Sequence, residues 1–175
     1  VFFYDGDLIY SNNNLIFKSL ALLMVISFML TDFLDGHLAR KYNQVSTLGK
    51  FLDPFSDKIS NMTIFICFLA SGYANIWMVA LIYFREASVE TLRTLAASQG
   101  LTIAARQSGK WKTGIQMGGI LAILVGALDP IQSLSWVADI WDYFPNTIMG
   151  IITAVTLLSG IDYFVANRSV LAHYL

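Results

Sequence analysis

Residues 32–57 read DFLDGHLARKYNQVSTLGKFLDPFSD, and this stretch lies between two strongly apolar segments of the chain. It contains four aspartates in two pairs, Asp32 with Asp35 and Asp53 with Asp57. Spacings of three and four residues place each pair on one face of a helix. Carboxylates at the edge of a membrane are energetically costly and usually mark ion or substrate chemistry. The stretch therefore predicts two helices that carry a polar site at a membrane edge.

The two aspartate pairs predict a binding site for divalent cations. If the two helices face each other, four negative charges share a small volume. Like charges this close cannot all stay ionised without bound cations. Hard carboxylate oxygens favour Mg²⁺ or Mn²⁺, whereas zinc prefers Cys and His ligands. The residues alone thus indicate an acidic Mg²⁺ or Mn²⁺ site beside a membrane.

The composition of the chain indicates a membrane protein. Of its 175 residues, 56% are hydrophobic and 13% are charged, whereas soluble domains carry about 25% charged residues. A helix needs about 20 predominantly apolar residues to cross a bilayer. Five segments meet this length once their polar ends are included: 15–40, 51–72, 75–97, 111–128 and 144–165. We therefore predict one domain, residues 1–175, that forms an all-α, polytopic integral membrane helical bundle.

The distribution of charge predicts the orientation of these helices. Ten of the eleven Lys and Arg residues lie in or beside 40–58, 85–112 and the tail at Arg168. The positive-inside rule places these regions, and therefore the aspartate stretch, in the cytoplasm. At the opposite interface we expect an aromatic belt formed by Trp77, Trp136, Trp141 and Tyr143. A net charge of −1 gives no indication of a nucleic-acid partner.

Eight residues of the quoted stretch form one pattern at their observed spacing: Asp32, Asp35, Gly36, Ala39, Arg40, Gly49, Asp53 and Asp57. In all eight positions the pattern resembles the signature of the CDP-alcohol phosphatidyltransferases, integral membrane enzymes that exchange the CMP of a CDP-linked lipid for an alcohol. The resemblance implies a homodimer and a six-helix fold with both ends in the cytoplasm. Because five crossings are counted and the sequence begins with Val1 rather than Met, we expect the first helix of that fold to be missing from it.

The resemblance also implies how the pattern binds metal and donor. The implied ligands of two divalent ions are Asp32, Asp35, Asp53 and Asp57. Asp57 is also the implied general base. The implied CDP-binding residues are Asp32, Gly36, Ala39, Arg40, Gly49 and Asp53. Independently of the resemblance, glycine inside a helix costs about 1 kcal/mol against alanine, so a nucleotide or a second helix is expected to approach Gly36 closely.

Three further segments, 53–58, 85–93 and 109–116, resemble the phosphatidylglycerophosphate synthase branch of that family. This resemblance implies CDP-diacylglycerol as the donor and sn-glycerol 3-phosphate as the acceptor, at the cytoplasmic face of a bacterial cell membrane. The implied ligands of the acceptor phosphate are Arg85, Arg93, Lys110 and Lys112. Glu90 and Arg106 depart from the pattern of the branch, and Asp162 has no assigned counterpart.

Several alternatives remain open. Arg85 is also consistent with a structural ion pair to Glu86, and Lys110 and Lys112 with ordinary positive-inside charges. The acceptor could instead be an inositol phosphate, serine or another alcohol. A protein of a different class, a cation transporter, also uses buried acids, but these are expected near the midplane on several helices. Here the four motif acids cluster at one edge, beside glycines and bases.

Overall fold

The computed structural model describes residues 14–42, 47–98, 100–101, 103 and 106–168. These residues form helices and turns without any β-strand, which confirms the all-α prediction for the part of the chain that is described. The helices are α1 (Asn14–Tyr42), α2 (Thr47–Ala70), α3 (Ile76–Ser98), α4 (Gln107–Gly126), α5 (Asp129–Gln132), α6 (Ser135–Trp141) and α7 (Phe144–Ala166). The five long helices correspond to the five predicted segments, whereas the short α5 and α6 were not expected.

Helix α7 is central to the packing, because both α3 and α4 lie against it. The main core is formed by buried apolar side chains from α2, α3, α4, α7 and the turn after α2: Phe65, Phe68, Ala74, Val79, Ile82, Ile120, Ile123, Met149 and Ile152. A second cluster lies at the C-terminal ends of α3 and α7 and comprises Val89, Leu92, Ala96 and Tyr163. The two clusters hold α3 and α7 together on either side of a polar layer.

A glycine permits the close approach of α4 to α7. A methyl group added at Gly119 would lie 2.6 Å from Cδ1 of Ile152 and 2.9 Å from Cγ2 of Ile148. The neighbouring Gly118 has no atom within 4 Å of the corresponding position. Gly119 is therefore required by the helix contact, whereas Gly118 faces open space.

The outer surface of the helices exposes many large apolar side chains, including Phe84, Leu158 and Ile161. Soluble monomers rarely expose contiguous apolar surface on this scale. Among the described residues, Phe144–Ala166 is the helix that is long and apolar enough to cross a membrane, judged by length and composition. The other four predicted crossings, and the additional helix expected before residue 1, stay predictions.

At the end of the bundle opposite the aspartate stretch, an ion pair and aromatic contacts join the helices. Lys18 on α1 forms an ion pair with Asp129 on α5. Of the predicted aromatic belt, Trp77, Trp136 and Tyr143 are largely exposed. Trp141 differs, because its ring packs against Gly126 and makes edge contact with Tyr73 at a centroid distance of 5.7 Å.

Candidate active site

The two helices predicted to carry the aspartate pairs are present. Helix α1 extends through positions 32 and 35, and α2 through positions 53 and 57. The side chains of these four aspartates lie outside the described residues, as do those of Ala39 and Arg40 and the surroundings of Gly36 and Gly49. Within the described residues no group of three or more His, Cys, Asp or Glu is placed to hold a metal. The metal site and the CDP site therefore stay predictions from the sequence.

A cavity of about 210 Å³ opens among helices α1, α2, α3 and α4. Its charged and polar lining comprises Lys58, Asn61, Glu86, Glu90, Arg93, Lys112, Thr113 and Gln116. Its apolar lining comprises Phe28, Met62, Phe65, Ile82 and Met117. Four residues of helix rise only about 6 Å, so Phe28 places the cavity near the level of Asp32. Lys58 directly follows Asp57 in the sequence. The cavity thus lies next to the backbone of Asp57 and about one helical turn from that of Asp32.

One carboxylate, that of Glu86, joins α3 to α4 beside the cavity. Its Oε1 atom accepts a hydrogen bond from Lys112 Nζ at 2.5 Å and another from Arg85 Nη1 at 3.3 Å. The side chains of Arg85, Glu86 and Lys112 are only 8%, 20% and 13% exposed. Charges so removed from water must be paired to be tolerated. The ion pair between Arg85 and Glu86 that the sequence allowed is therefore present in the structure, and a role of Arg85 at the acceptor stays a prediction.

Helix α7 supports Arg85 from behind. Arg85 Nη2 donates a hydrogen bond of 2.8 Å to the hydroxyl of Ser159, which is itself buried. A methyl group added at Gly160 would lie 2.8 Å from Arg85 Cγ, so the glycine leaves room for the arginine stem. One turn earlier on α7, Thr156 accepts a hydrogen bond from Gln116 of the cavity at 3.4 Å.

Arg93 lies further along α3 than Arg85, and it also contacts α7. Its Nε donates a 2.9 Å hydrogen bond to the hydroxyl of Tyr163, and its guanidinium carbon lies 5.4 Å from the centre of that ring. This distance is within the range of a cation–π interaction. Tyr163 is only 4% exposed, because its ring packs in the second cluster. The arginine is thus held by a partner that apolar packing fixes in place.

The structure brings two of the four predicted phosphate ligands into the cavity wall. Arg93 and Lys112 line the cavity. Of the other two, Arg85 is buried behind Glu86, and Lys110 is exposed at the start of α4. Neither Arg85 nor Lys110 is among the described residues that line the cavity.

Two charged residues of the cavity wall had no site role in the sequence interpretation. Lys58 and Glu90 form a loose ion pair across α2 and α3, with 3.6 Å between Nζ and Oε2. Helical spacing contains a signal for Glu90, because Glu86, Glu90 and Arg93 are separated by four and three residues and share one face.

Arg106 and Asp162, whose roles the sequence interpretation left open, bind each other. The guanidinium donates two hydrogen bonds of 2.8 Å to the carboxylate, from Nε and Nη2. Ser108 donates a third hydrogen bond to the same carboxylate. This contact joins the start of α4 to α7. One indication of this pair was present in the sequence, because Arg106 and Asp162 are opposite charges and neither had an assigned partner.

Comparison with known proteins gives consistent matches. The family model described as CDP-alcohol phosphatidyltransferase matches residues 8–161. A protein of Bacillus subtilis is 37% identical over 149 residues, which is 84% of this chain and 72% of its own length. A protein of Rickettsia typhi is 34% identical over 163 residues, 93% of this chain and 87% of its own length. A protein of Treponema pallidum is 38% identical over 109 residues, and the matched part is half of its own length. All three are named CDP-diacylglycerol–glycerol-3-phosphate 3-phosphatidyltransferase.

Proposed function

We propose that this chain, which belongs to the CDP-alcohol phosphatidyltransferase family, transfers the phosphatidyl group of CDP-diacylglycerol to sn-glycerol 3-phosphate. In this reaction a free hydroxyl oxygen of the acceptor attacks the lipid-side phosphorus of the diphosphate. The bond from that phosphorus to the bridging oxygen breaks, and CMP leaves with the bond's electron pair. The hydroxyl proton passes to a base, for which we propose Asp57. The products are phosphatidylglycerophosphate and CMP.

The observation that carries this proposal is the charge of the cavity beside the aspartate stretch. Its described lining carries three cations, Lys58, Arg93 and Lys112, and two carboxylates, Glu86 and Glu90. Arg85 does not line the cavity, but it is paired with Glu86 and adds a fourth positive charge. These described groups leave an excess of two positive charges. A phosphate monoester carries about −1.5 to −2 charges at neutral pH, so it would balance the excess.

The cavity, as bounded by the described residues, has room for a small acceptor. Pockets for drug-sized ligands measure about 300–1,000 Å³, and this cavity measures about 210 Å³. We propose that Arg93 and Lys112 contact the acceptor phosphate, with Lys58 between the phosphate and the aspartates. Arg85 contributes through Glu86. Lys110, whose position is exposed, is retained as a further phosphate ligand on the basis of the sequence.

The donor is proposed to bind at the aspartate stretch, on the evidence of its eight-residue pattern. We propose that Asp32, Asp35, Asp53 and Asp57 hold two divalent ions, Mg²⁺ or Mn²⁺. Bound there, such ions would neutralise the diphosphate, and phosphoryl transfer depends mainly on positioning and on this neutralisation. For the nucleotide and diphosphate we propose contacts from Gly36, Ala39, Arg40 and Gly49.

We further propose that the protein is a multi-pass protein of a bacterial cell membrane, that the cavity faces the cytoplasm, and that the enzyme is a homodimer. The distribution of Lys and Arg supports the orientation. The apolar exterior of the helices supports burial in lipid. The homodimer rests on the family resemblance alone.

The test is CMP release by the purified protein in mixed micelles with CDP-diacylglycerol and Mg²⁺, across a panel of acceptors. We expect release with sn-glycerol 3-phosphate, and little with glycerol, serine or inositol phosphate. Release with another acceptor would keep the reaction class and replace the acceptor. Equal use of glycerol and glycerol 3-phosphate would refute the phosphate site. No CMP release with any alcohol, together with cation flux in vesicles, would favour the transporter.

A further inference from the structure

We propose that α7 positions the acceptor-binding bases, with Tyr163 acting through Arg93 and Ser159 acting through Arg85. This inference rests on the proposed function, because it concerns the same phosphate site. The sequence pattern assigns no role to either α7 residue. Both are positioning residues, since neither is among the described residues that line the cavity.

Tyr163 fixes one particular edge of the Arg93 guanidinium. A guanidinium has five N–H donors in a planar fork. The tyrosine hydroxyl accepts the hydrogen bond of Nε, and its ring lies beneath the guanidinium carbon. The four N–H groups on the two Nη atoms do not take part in that bond, and they form the edge that can bind a phosphate. Because Arg93 is otherwise exposed, the contact replaces a mobile side chain with an oriented one.

Ser159 acts over a longer path that ends at Lys112. Its hydroxyl binds Nη2 of Arg85, Nη1 of the same arginine binds Glu86, and Glu86 binds Lys112. The path crosses from α7 through α3 to α4. Gly160 completes it by leaving space for the arginine stem. Lys112, which lines the cavity, is therefore held by the carboxylate of Glu86, and the position of that carboxylate depends on α7 through Arg85.

The kinetic consequence separates positioning from general structural support. A contact that the acceptor makes equally in the ground state and the transition state changes KM and leaves kcat unchanged. Tyr163→Phe removes only the hydroxyl and keeps the buried ring. A hydrogen bond to a charged group is worth about a tenfold change in an equilibrium constant. Because this bond is already present in the free enzyme, only the loss of orientation should appear in binding. We therefore expect KM for glycerol 3-phosphate to rise, by at most about that factor, and KM for CDP-diacylglycerol and kcat to stay nearly constant.

The decisive experiment is a double-mutant cycle on KM for glycerol 3-phosphate, using the full chain. The four proteins are the unmodified enzyme, Tyr163→Phe, Arg93→Ala and the double variant. If Tyr163 acts through Arg93, adding Tyr163→Phe to Arg93→Ala changes KM no further. Equal effects of Tyr163→Phe in both backgrounds would overturn the proposal. The matched control is Tyr83→Phe, because Tyr83 is a largely exposed tyrosine on α3.

Ser159→Ala gives a second, independent measurement and keeps the test informative if Tyr163→Phe fails to fold. We expect a rise in KM for glycerol 3-phosphate without a matching loss of kcat. Its control is Ser88→Ala, since the Ser88 hydroxyl binds only the backbone oxygen of Phe84 among described atoms. A fall in kcat with KM unchanged would refute positioning by Ser159. If the unmodified enzyme uses glycerol as well as glycerol 3-phosphate, the proposed acceptor fails instead.

Discussion

Replacement of Glu86 by Gln tests whether the carboxylate of Glu86 neutralises buried positive charge beside the cavity. The substitution keeps the length and one acceptor oxygen of the side chain but removes its charge. Arg85 and Lys112 both contact the same carboxylate oxygen. Without the negative charge of Glu86, the largely buried cations of Arg85 and Lys112 remain next to each other.

The expected cost follows from this geometry. Two unit charges about 6 Å apart repel by about 3 kcal/mol at an effective dielectric constant of about 20. Removal of one partner of a buried ion pair costs about 3–5 kcal/mol in other proteins. We therefore expect Glu86→Gln to lower the free energy of unfolding by about 3 kcal/mol. For a chain of this size the midpoint of thermal unfolding should fall by about 6–12 °C.

The measurement is thermal unfolding of the full chain in detergent micelles at low and high salt. Glu90→Gln is the matched control on the same helix, because Glu90 is 52% exposed and lies 3.6 Å from Lys58. Such an exposed pair contributes about 0–1 kcal/mol, and salt screens it. Equal midpoints for the two variants, or loss of the difference in high salt, would refute the argument that Glu86 neutralises buried charge.

Three other substitutions have specific expected outcomes. Asp57→Asn should reduce CMP release at least ~100-fold, the lower range for a positioned acid–base group; activity that survives it, or persists in chelator, contradicts the proposed chemistry. Gly36→Ala should weaken CDP-diacylglycerol binding while the helical circular dichroism is retained, and normal binding would assign the glycine to helix packing. Gly119→Ala should cost about 1–3 kcal/mol through overpacking against Ile152, whereas Gly118→Ala should gain up to about 1 kcal/mol of helix propensity; similar unfolding midpoints would contradict the helix contact.

The positions of the long helices could be predicted from the sequence because they depend on local hydropathy. The expected segments 75–97 and 144–165 correspond to α3 at Ile76–Ser98 and α7 at Phe144–Ala166. The four-residue α5 and seven-residue α6 were missed, because such short helices contain too few turns to show a hydrophobic period.

The partners of the bases could be predicted only where they are neighbours in sequence. Arg85 and Glu86 are adjacent, and their ion pair was anticipated. Tyr163 lies 70 positions from Arg93, and their contact depends on how α7 is rotated against α3. Neither helix encodes that rotation by itself, because it results from packing of the whole bundle.

The rotation of α7 also determines how its sequence can vary. One face of this helix carries Thr156, Ser159, Gly160 and Tyr163 toward its neighbours, whereas Leu158, Ile161 and Val165 are exposed. A saturation scan of α7 should therefore show mutational tolerance that rises and falls every 3.6 residues. An inserted residue ahead of Thr156 should be far more harmful than any single exposed replacement. It would turn the following residues by about 100° and displace them by about 1.5 Å, so all four inward contacts would be lost together.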